Sequence, residues 1–285
     1  MQHSAPTDQA TNMIIQLAEP YLLVETRHGP MLVNRHDIYI GRALIDYGEY
    51  SELETRLLVQ LIKDTRTVVE VGANIGSQTV PLAAAARGAG ADLIALEPQP
   101  FLFQNLCANL ALNAVPNVLA WPMACGAQPG VLGFSRPDYH QPGNFGSVSM
   151  QADVSAADIE VPCIRLDDIL KNKDVQLMKI DVEGFELQVL AGARETILRS
   201  RPTIYVENDR VDNSGALIEH LWELDYRLWW HVTPLFNPEN FRGNADNLYP
   251  GISSFNMICF PRESGMNVID SDEIKDSSAH PFIAR

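Results

Sequence analysis

A chain of 285 residues, 46% of them hydrophobic, is long enough for one large domain with a substantial buried core. Its formal net charge of −15 and the lack of any Lys/Arg run argue against nucleic acid and anionic membranes as partners. The polar N-terminus, a predicted disordered tail over residues 1–12, lacks signal-peptide features, and the longest low-charge stretch is too short to span a bilayer. The sequence therefore predicts a cytoplasmic protein.

The segment that precedes the main domain is predicted to form a hairpin and a helix. Residues 21–26 and 31–33 resemble short strands joined by a His-Gly-Pro turn. Residues 51–63 carry leucines at helical spacing, and Ser51 followed by Glu54 is typical of a capping box.

From residue 67 onward, strands and helices alternate at the spacing of parallel βαβ units. Strands of one main sheet are predicted at 67–71, 92–96, 117–121, 176–181, 203–207, 226–231 and 254–260. Helices are predicted at 77–87 with Ser77 as N-cap, 100–113, 185–198 and 216–224. This pattern predicts a Rossmann-like α/β fold: a mostly parallel seven-stranded sheet with helices on both faces.

Less regular segments complete the predicted organisation. Residues 126–151 are rich in Gly, Pro, Ser and Asn and are predicted to be a loop or insertion, which a strand at 161–166 follows. Residues 234–251 are predicted to be a polar loop. The predicted units are an N-terminal extension (1–66), the main domain (67–262) and a polar, mobile C-terminal tail (263–285).

The turn after the first main strand is the most informative stretch. In residues 68–76, VVEVGANIG, a buried strand enters a Gly-x-x-x-Gly turn that opens a helix, and glycine allows a ligand to approach the backbone closely. Asn74 replaces the middle glycine of a dinucleotide fingerprint and crowds the place of a pyrophosphate. This argues against an NAD-linked oxidoreductase. S-adenosylmethionine (SAM) has no phosphate, and Glu70 is suited to pair with its α-ammonium group.

A second acid supports this interpretation. Glu97 ends the next strand, about 20 residues past the turn, where a carboxylate binds both hydroxyls of a ribose. The glycine turn and Glu97 together predict a SAM site.

These residues resemble the FkbM family of SAM-dependent methyltransferases. The resemblance is carried by these segments: YGEYSELE (47–54), VVEVGANIG (68–76), LEP (96–98), LDD (166–168), KIDVEGFE (179–186) and P-x-I-x-V-E (202–207). It implies a class I methyltransferase fold and SAM as the cofactor. It also implies methylation of hydroxyl oxygens on sugars, polyketides or related secondary metabolites.

The resemblance also implies a set of cofactor-binding residues. The methionine part of SAM would lie against the glycine turn, the ribose at the LEP segment, the adenine at the loop after the third strand and the methyl group at the end of the fourth. The corresponding residues are Glu70, Gly72, Ala73, Asn74, Gly76, Glu97, Pro98, Ala124, Cys125 and Asp181.

The catalytic candidates are residues that could act as the general base or orient the substrate. Asp181 and Glu183 follow the fourth strand, where either is expected to take the proton of a hydroxyl nucleophile or to orient the substrate. His231, at another strand end, is a candidate general base because its pKa lies near neutrality, and His140 is a weaker one. Carboxylates near the cleft, Glu207 among them, suit Mg²⁺, but their spacing does not demand it, and no metal site is assigned.

The sequence leaves several alternatives open. O-methylation of a sugar or secondary metabolite is the main hypothesis, and N-methylation of a small amine and a non-catalytic Rossmann-like binding protein are the alternatives. The loop residues Phe236, Asn237, Asn240 and Phe241 either grip a polyol or build a lid. A small-molecule or carbohydrate substrate is expected, with no nucleic acid and no membrane, and a homodimer is left open.

Overall fold

A computed structural model describes residues 17–282 and is built around one seven-stranded sheet. The predicted tail at 1–12 lies outside the described residues. From one edge to the other the strands are β11 (Tyr226–Pro234), β12 (Ser253–Pro261), β10 (Thr203–Glu207), β9 (Val175–Ile180), β3 (Thr67–Val71), β4 (Leu93–Leu96) and β5 (Val118–Trp121). β12 runs antiparallel to both of its neighbours, and the other six strands share one direction. The predicted mostly parallel sheet is confirmed.

Successive side chains of each strand point to opposite faces and build two separate cores. Val68 and Leu93 belong to one core, while their neighbours Val69 and Ile94 belong to the other. Each buried side chain of this size stabilises the fold by about 1.5–3 kcal/mol. One face is covered by α2 (Glu52–Leu61), α3 (Thr79–Gly88) and α4 (Pro100–Leu112), and the other by α5 (Leu166–Ile169), α6 (Glu186–Gly192), α7 (Arg194–Ser200) and α8 (Val211–Glu223).

The segment before β3 packs onto the sheet through its hairpin. β1 (Tyr21–Thr26) and β2 (Gly29–Asn34) pair in antiparallel register, as predicted, and α1 (Ile40–Asp46) follows them without having been predicted. Asn109 on α4 accepts from the Leu32 amide at 2.6 Å and donates to the carbonyl of Ile75 at 2.8 Å. One buried amide side chain therefore ties the hairpin to the glycine turn.

Neither predicted helix cap forms a side-chain cap bond, although Ser51 does occupy the N-cap position of α2. Ser51 has a left-handed backbone (φ 46°) and makes no side-chain cap bond, and Glu54 instead accepts a hydrogen bond from Thr233 at 3.0 Å. Tertiary contacts therefore replace the local cap at α2. α3 begins at Thr79 after Gln78 rather than at Ser77, again with no side-chain cap bond.

A second, three-stranded sheet follows the main sheet's strand β5, and one of its strands lies within the segment 126–151 that was predicted to be a loop. Its spatial order is β6 (Ala124–Cys125), β8 (Ile159–Ile164) and β7 (Gly130–Phe134). The loop prediction is wrong at β7, whose antiparallel partner β8 lies 25 or more residues away in sequence. The two glycines of β7 obscure the alternation of apolar and polar residues that marks a strand, although Leu132 and Phe134 are buried.

The predicted helix at 185–198 is two helices that break at Ala193. At the end of α6, a Cβ on Gly192 would overlap the carbonyl oxygen of Gly126. The Asp167 carboxylate accepts from the amides of Glu195 and Thr196 at 3.0 and 2.8 Å, which caps the start of α7. This remote acceptor satisfies amides that a continuous helix would bond internally.

The tail beyond β12 begins with a short 3₁₀ helix (Arg262–Ser264) and then packs against the domain. Ile274 and His280 are 6% and 5% exposed, and His280 Nε2 forms a hydrogen bond with the carbonyl of Asn208 at 2.8 Å. These two side chains anchor this part of the tail to the domain, and its mobility stays a prediction. Within residues 17–282, the helices are too short or too polar to cross a membrane.

Gln176 on β9 joins the linker after α2 to the sheet. Its Oε1 accepts from Lys63 and Asp64, and its Nε2 donates to the carbonyls of Asp64 and Arg66. We expect Gln176→Ala to lower the free energy of unfolding by about 2–4 kcal/mol, because this buried side chain makes four hydrogen bonds to the backbone that are lost together. Urea unfolding measures this, and the exposed Gln188→Ala on α6 is the control; equal losses in both variants would contradict the assignment.

Candidate active site

A cavity of about 340 Å³ lies where the carboxyl ends of β3, β4, β9 and β10 meet. Its volume is in the range of small-molecule sites, and the end of a parallel sheet is where such sites form. The walls come from the turns after these strands, from the segment 144–150 and from the N-terminal extension.

The glycine turn forms the floor of the cavity. Gly72 has φ +86°, and a Cβ there would overlap the carbonyl oxygen of Asp181, so only glycine lets β3 and β9 approach this closely. Asn74 also takes a left-handed conformation, φ +50°, and its Oδ1 accepts from the Ile75 amide at 2.8 Å. The turn is thus shaped by close packing and by its own side chain.

Glu97 braces the turn from β4. Its Oε2 accepts from the Asn74 amide at 2.9 Å, and its Oε1 accepts from the Gln99 amide at 2.8 Å. The side chain is buried, and burial raises its pKa to about 7 even though both amides oppose the shift. Each carboxylate oxygen keeps one further lone pair for a ligand.

Glu70 and Lys179 face each other across β3 and β9 at the centre of the cavity. Glu70 is 0% exposed, and neither of its carboxylate oxygens has a hydrogen-bond partner among residues 17–282. Lys179 Nζ lies 3.7 Å from Glu70 Oε1 and 3.2 Å from Asp181 Oδ2. Burial alone would lower the pKa of Lys179, but attraction to Asp181 and Glu70 raises it above its usual value, so the amine stays charged.

One wall of the cavity is acidic. Glu183, on the loop after β9, and Glu207 and Asp209, at the end of β10, line it together with Arg210. Burial and repulsion from Asp181 raise the pKa of Glu183 to about 8, and they raise the pKa of Glu207 well above its usual value. Arg210 Nη2 donates to Glu183 Oε2 at 2.6 Å.

The N-terminal extension supplies a further part of the cavity wall, which the sequence did not assign. Tyr39, Tyr50 and Glu54 all line the cavity, and Glu54 is 4% exposed. Glu54 also accepts from Gln78 Nε2 at 3.4 Å. The sequence did contain a signal for this wall, because Tyr50 and Glu54 belong to the YGEYSELE segment that carries part of the family resemblance.

The structure brings most of the predicted cofactor residues into the cavity. Glu70, Gly72, Ala73, Asn74, Glu97, Pro98, Ala124, Cys125 and Asp181 line it. Gly76 does not; it keeps φ +87° and lies so close to α4 that a Cβ would come within 2.7 Å of Leu106. Its role in the described structure is to let the turn pack against that helix.

Only some of the predicted catalytic residues lie in the cavity. Asp181 and Glu183 line the cavity, whereas His231 does not, because it lies on the edge strand β11 with its Nδ1 2.8 Å from the Tyr205 hydroxyl. Burial lowers the pKa of His231. His140 is exposed and also lies outside the cavity.

The loop between β11 and β12 is held by the N-terminal extension. Asn237 Nδ2 donates to Glu49 Oε1 at 2.7 Å, and the Phe241 amide donates to Glu49 Oε2 at 2.8 Å. Phe236, Asn237, Asn240 and Phe241 do not line the cavity. Of the two predicted uses of these residues, the structure shows packing within the loop and against Glu49.

The described lining residues include seven carboxylates and only two cationic side chains. The carboxylates belong to Glu54, Glu70, Glu97, Asp181, Glu183, Glu207 and Asp209, and the cations to Lys179 and Arg210. Such an excess of negative charge favours a ligand that carries positive charge.

The reversed strand β12 between β10 and β11, with a glycine turn after the central β3, defines the class I methyltransferase fold. The family model of the methyltransferase FkbM domain matches residues 70–228, more than half of the chain. The chain belongs to the FkbM methyltransferase family.

Individual relatives are more distant. A putative methyltransferase of Jannaschia sp. (strain CCS1) is 27% identical over 164 residues, which are 51% of this chain and 57% of that relative. The chain thus spans less than two thirds of the relative's length. A crystal structure of methyltransferase FkbM from Methylobacillus flagellatus KT has 17% identity and a TM-score of 0.46, over 69% of this chain and 44% of that one. M. jannaschii TYW2 in complex with AdoMet has 14% identity and a TM-score of 0.43, over 87% and 90%.

Removing the buried cation tests the electrostatics of the site. We expect Lys179→Met to lower the free energy of unfolding by about 3 kcal/mol, since Glu70 is left as an uncompensated buried acid. Adding Glu70→Gln should restore about 1 kcal/mol or more of that loss. Urea unfolding of both single variants and the double variant measures the coupling. The exposed Lys171→Met is the control, and strictly additive losses would contradict the pairing.

Proposed function

We propose that this protein is a SAM-dependent methyltransferase that methylates a hydroxyl oxygen of a small polyhydroxylated substrate, such as a sugar or secondary metabolite. The observation that carries the proposal is the fully buried Glu70 carboxylate, whose oxygens have no hydrogen-bond partner within the described chain. Lys179 offsets the charge of this carboxylate from 3.7 Å, but a buried carboxylate with unused hydrogen-bond acceptors is costly unless a ligand donates to them.

SAM fits this carboxylate and its surroundings. The α-ammonium group of SAM is a multiple hydrogen-bond donor suited to Glu70, and the net negative charge of the cavity suits its positive sulfonium. Glu97, with one lone pair left on each oxygen, is suited to the two ribose hydroxyls. Apolar lining from Met123, Leu132 and Met150 is suited to an adenine ring.

Asp181 is the proposed general base. It lies at the end of β9 within the cavity, with its side chain 37% exposed and Oδ2 held 3.2 Å from Lys179 Nζ. Bound SAM supplies an electrophilic methyl group on a sulfonium. The acceptor hydroxyl gives its proton to Asp181 as its oxygen bonds to the methyl carbon and the carbon–sulfur bond breaks.

Methylation of a small amine is a second candidate, and the acidic wall favours it. Glu183, Glu207 and Asp209 are crowded around one Arg210 guanidinium, and burial and repulsion from nearby acids raise the pKa of Glu183 and of Glu207, so an ammonium group that relieves this repulsion would be favoured there. Such an amine must still lose a proton before it can attack, and Asp181 would accept that proton as well.

Calorimetry with S-adenosylhomocysteine, with NAD⁺ as the comparison ligand, tests the cofactor. We expect saturable binding of S-adenosylhomocysteine and none of NAD⁺. Binding of NAD⁺ alone would support an oxidoreductase, and binding of neither would contradict the proposal.

Asp181→Asn separates catalysis from cofactor binding. Methyl transfer from methyl-tritiated SAM to a panel of hydroxylated and amino compounds identifies an acceptor for wild type. We then expect Asp181→Asn to lower turnover by about 10²–10⁴-fold, because the base is lost. S-adenosylhomocysteine affinity should change less than about threefold, since the side chain keeps its shape. The exposed Asp168→Asn is the control, and unchanged turnover of Asp181→Asn would contradict the role.

The pKa of Glu97, about 7, predicts a pH-dependent affinity. The ionised carboxylate accepts ribose hydroxyls better than the protonated acid, so binding releases the proton and weakens as pH falls below 7. We expect S-adenosylhomocysteine to bind about fivefold or more weakly at pH 6 than at pH 8. Glu97→Gln should bind weakly at both pH values with little difference between them; an equally steep dependence in this variant would assign the titration to another group.

A further inference from the structure

Glu183, Glu207 and Asp209 form a compact cluster in the wall of the cavity. Each offers one carboxylate oxygen, and these three oxygens lie within 4.8 Å of one another. The residues come from two neighbouring strand ends, β9 and β10, which the parallel pairing of these strands brings together. All three also line the cavity in which the acceptor is proposed to bind.

The cluster is incompletely neutralised by protein groups. Arg210 reaches Glu183 Oε2 at 2.6 Å and Asp209 Oδ1 at 3.4 Å, which leaves the opposite oxygen of each carboxylate available. Glu207 Oε2 is buried and lacks a hydrogen-bond partner anywhere in residues 17–282. With all three acids ionised, three carboxylates and one guanidinium carry a formal charge of −2, which a divalent cation that displaces their protons would balance.

The backbone holds these ligands in place before any ion arrives. Glu183 has φ +58°, a left-handed conformation that costs a non-glycine residue about 1–2 kcal/mol. The loop keeps this shape because Glu186 Oε1 accepts from the amides of Val182 and Gly184 at 3.2 and 3.0 Å. Glu186 itself lies outside the cavity, so its part is to position Glu183.

We propose that Glu183, Glu207 and Asp209 bind one divalent cation of the Mg²⁺ or Mn²⁺ type. Carboxylate oxygens are the ligands these hard cations prefer, and three protein ligands leave about three of six octahedral positions for water and substrate. The sequence alone assigned no metal site, because residues on two strand ends give no contiguous motif. The cavity is the route by which the ion enters.

The cation also specifies the acceptor, and this part rests on the proposed function. Two neighbouring oxygens of one substrate fill two adjacent coordination positions, so a vicinal diol or a hydroxyl beside a carbonyl is favoured over an isolated hydroxyl. Coordination lowers the pKa of the hydroxyl that attacks, and Asp181, which is not among the three ligands, takes its proton.

Electron paramagnetic resonance of Mn²⁺ measures the site directly in the full chain. Binding removes the sharp signal of free aqueous Mn²⁺, and we expect one equivalent per chain, displaced by excess Mg²⁺. Glu207→Gln and Asp209→Asn should each weaken Mn²⁺ binding by about tenfold or more, since each replaces an anionic carboxylate ligand with a neutral, weaker amide oxygen. Asp212→Asn, an exposed acid on α8 outside the cavity, makes the same charge change and should leave Mn²⁺ affinity within about twofold.

Calorimetry with S-adenosylhomocysteine on the same samples separates the two proposals. Normal S-adenosylhomocysteine binding with no saturable loss of Mn²⁺ signal at millimolar concentration would overturn the metal site and leave the proposed function standing. Equal weakening by Asp212→Asn and Glu207→Gln, or no effect of either cluster variant, would place Mn²⁺ elsewhere on the acidic surface and also overturn it. Mn²⁺ binding with the expected variant pattern supports the site even where S-adenosylhomocysteine fails to bind.

Discussion

The site depends on one buried ion pair between adjacent strands. Glu70 on β3 and Lys179 on β9 stand in register, and their charged atoms lie 3.7 Å apart, with both side chains almost fully buried. Lys179 also holds Asp181, so a single cation fixes the carboxylate proposed for the cofactor and the one proposed for catalysis. The surplus of acids in the cavity is tolerable near this pair only because that cation cannot easily lose its proton.

The cavity is lined both by the segment that matches the family model and by residues on either side of that segment. The family match covers residues 70–228, yet Tyr50 and Glu54 in front of it and the β12 segment behind it also line the cavity. The floor, which faces the proposed cofactor, comes from within the matched segment. The acidic wall of Glu183, Glu207 and Asp209 also comes from within it, whereas Tyr50, Glu54 and the β12 segment add lining from outside it.

Local patterns predicted the elements, and long-range contacts decided their ends. Strand β3 and strand β10 follow their predicted bounds because each is a short apolar run between turn signals. The capping box at Ser51 failed because Glu54 has better partners in Thr233 and Gln78, which lie 179 and 24 residues away. The helix break at Ala193 likewise comes from Asp167, an acceptor no local pattern of that helix contains.

The sequence by itself determined the alternating α/β order, the glycine turn and the acids Glu70, Glu97, Asp181 and Glu183, because each is tied to the end of a strand whose apolar run is visible locally. Only the tertiary structure decided which further side chains share the cavity. In the structure, His231 lies on the edge strand outside the cavity, and Gly76 packs against α4. Asp209 and Arg210, which the sequence did not assign, line the cavity. Which residues meet across a sheet depends on strand order and register, and these are fixed by packing between segments far apart in the chain.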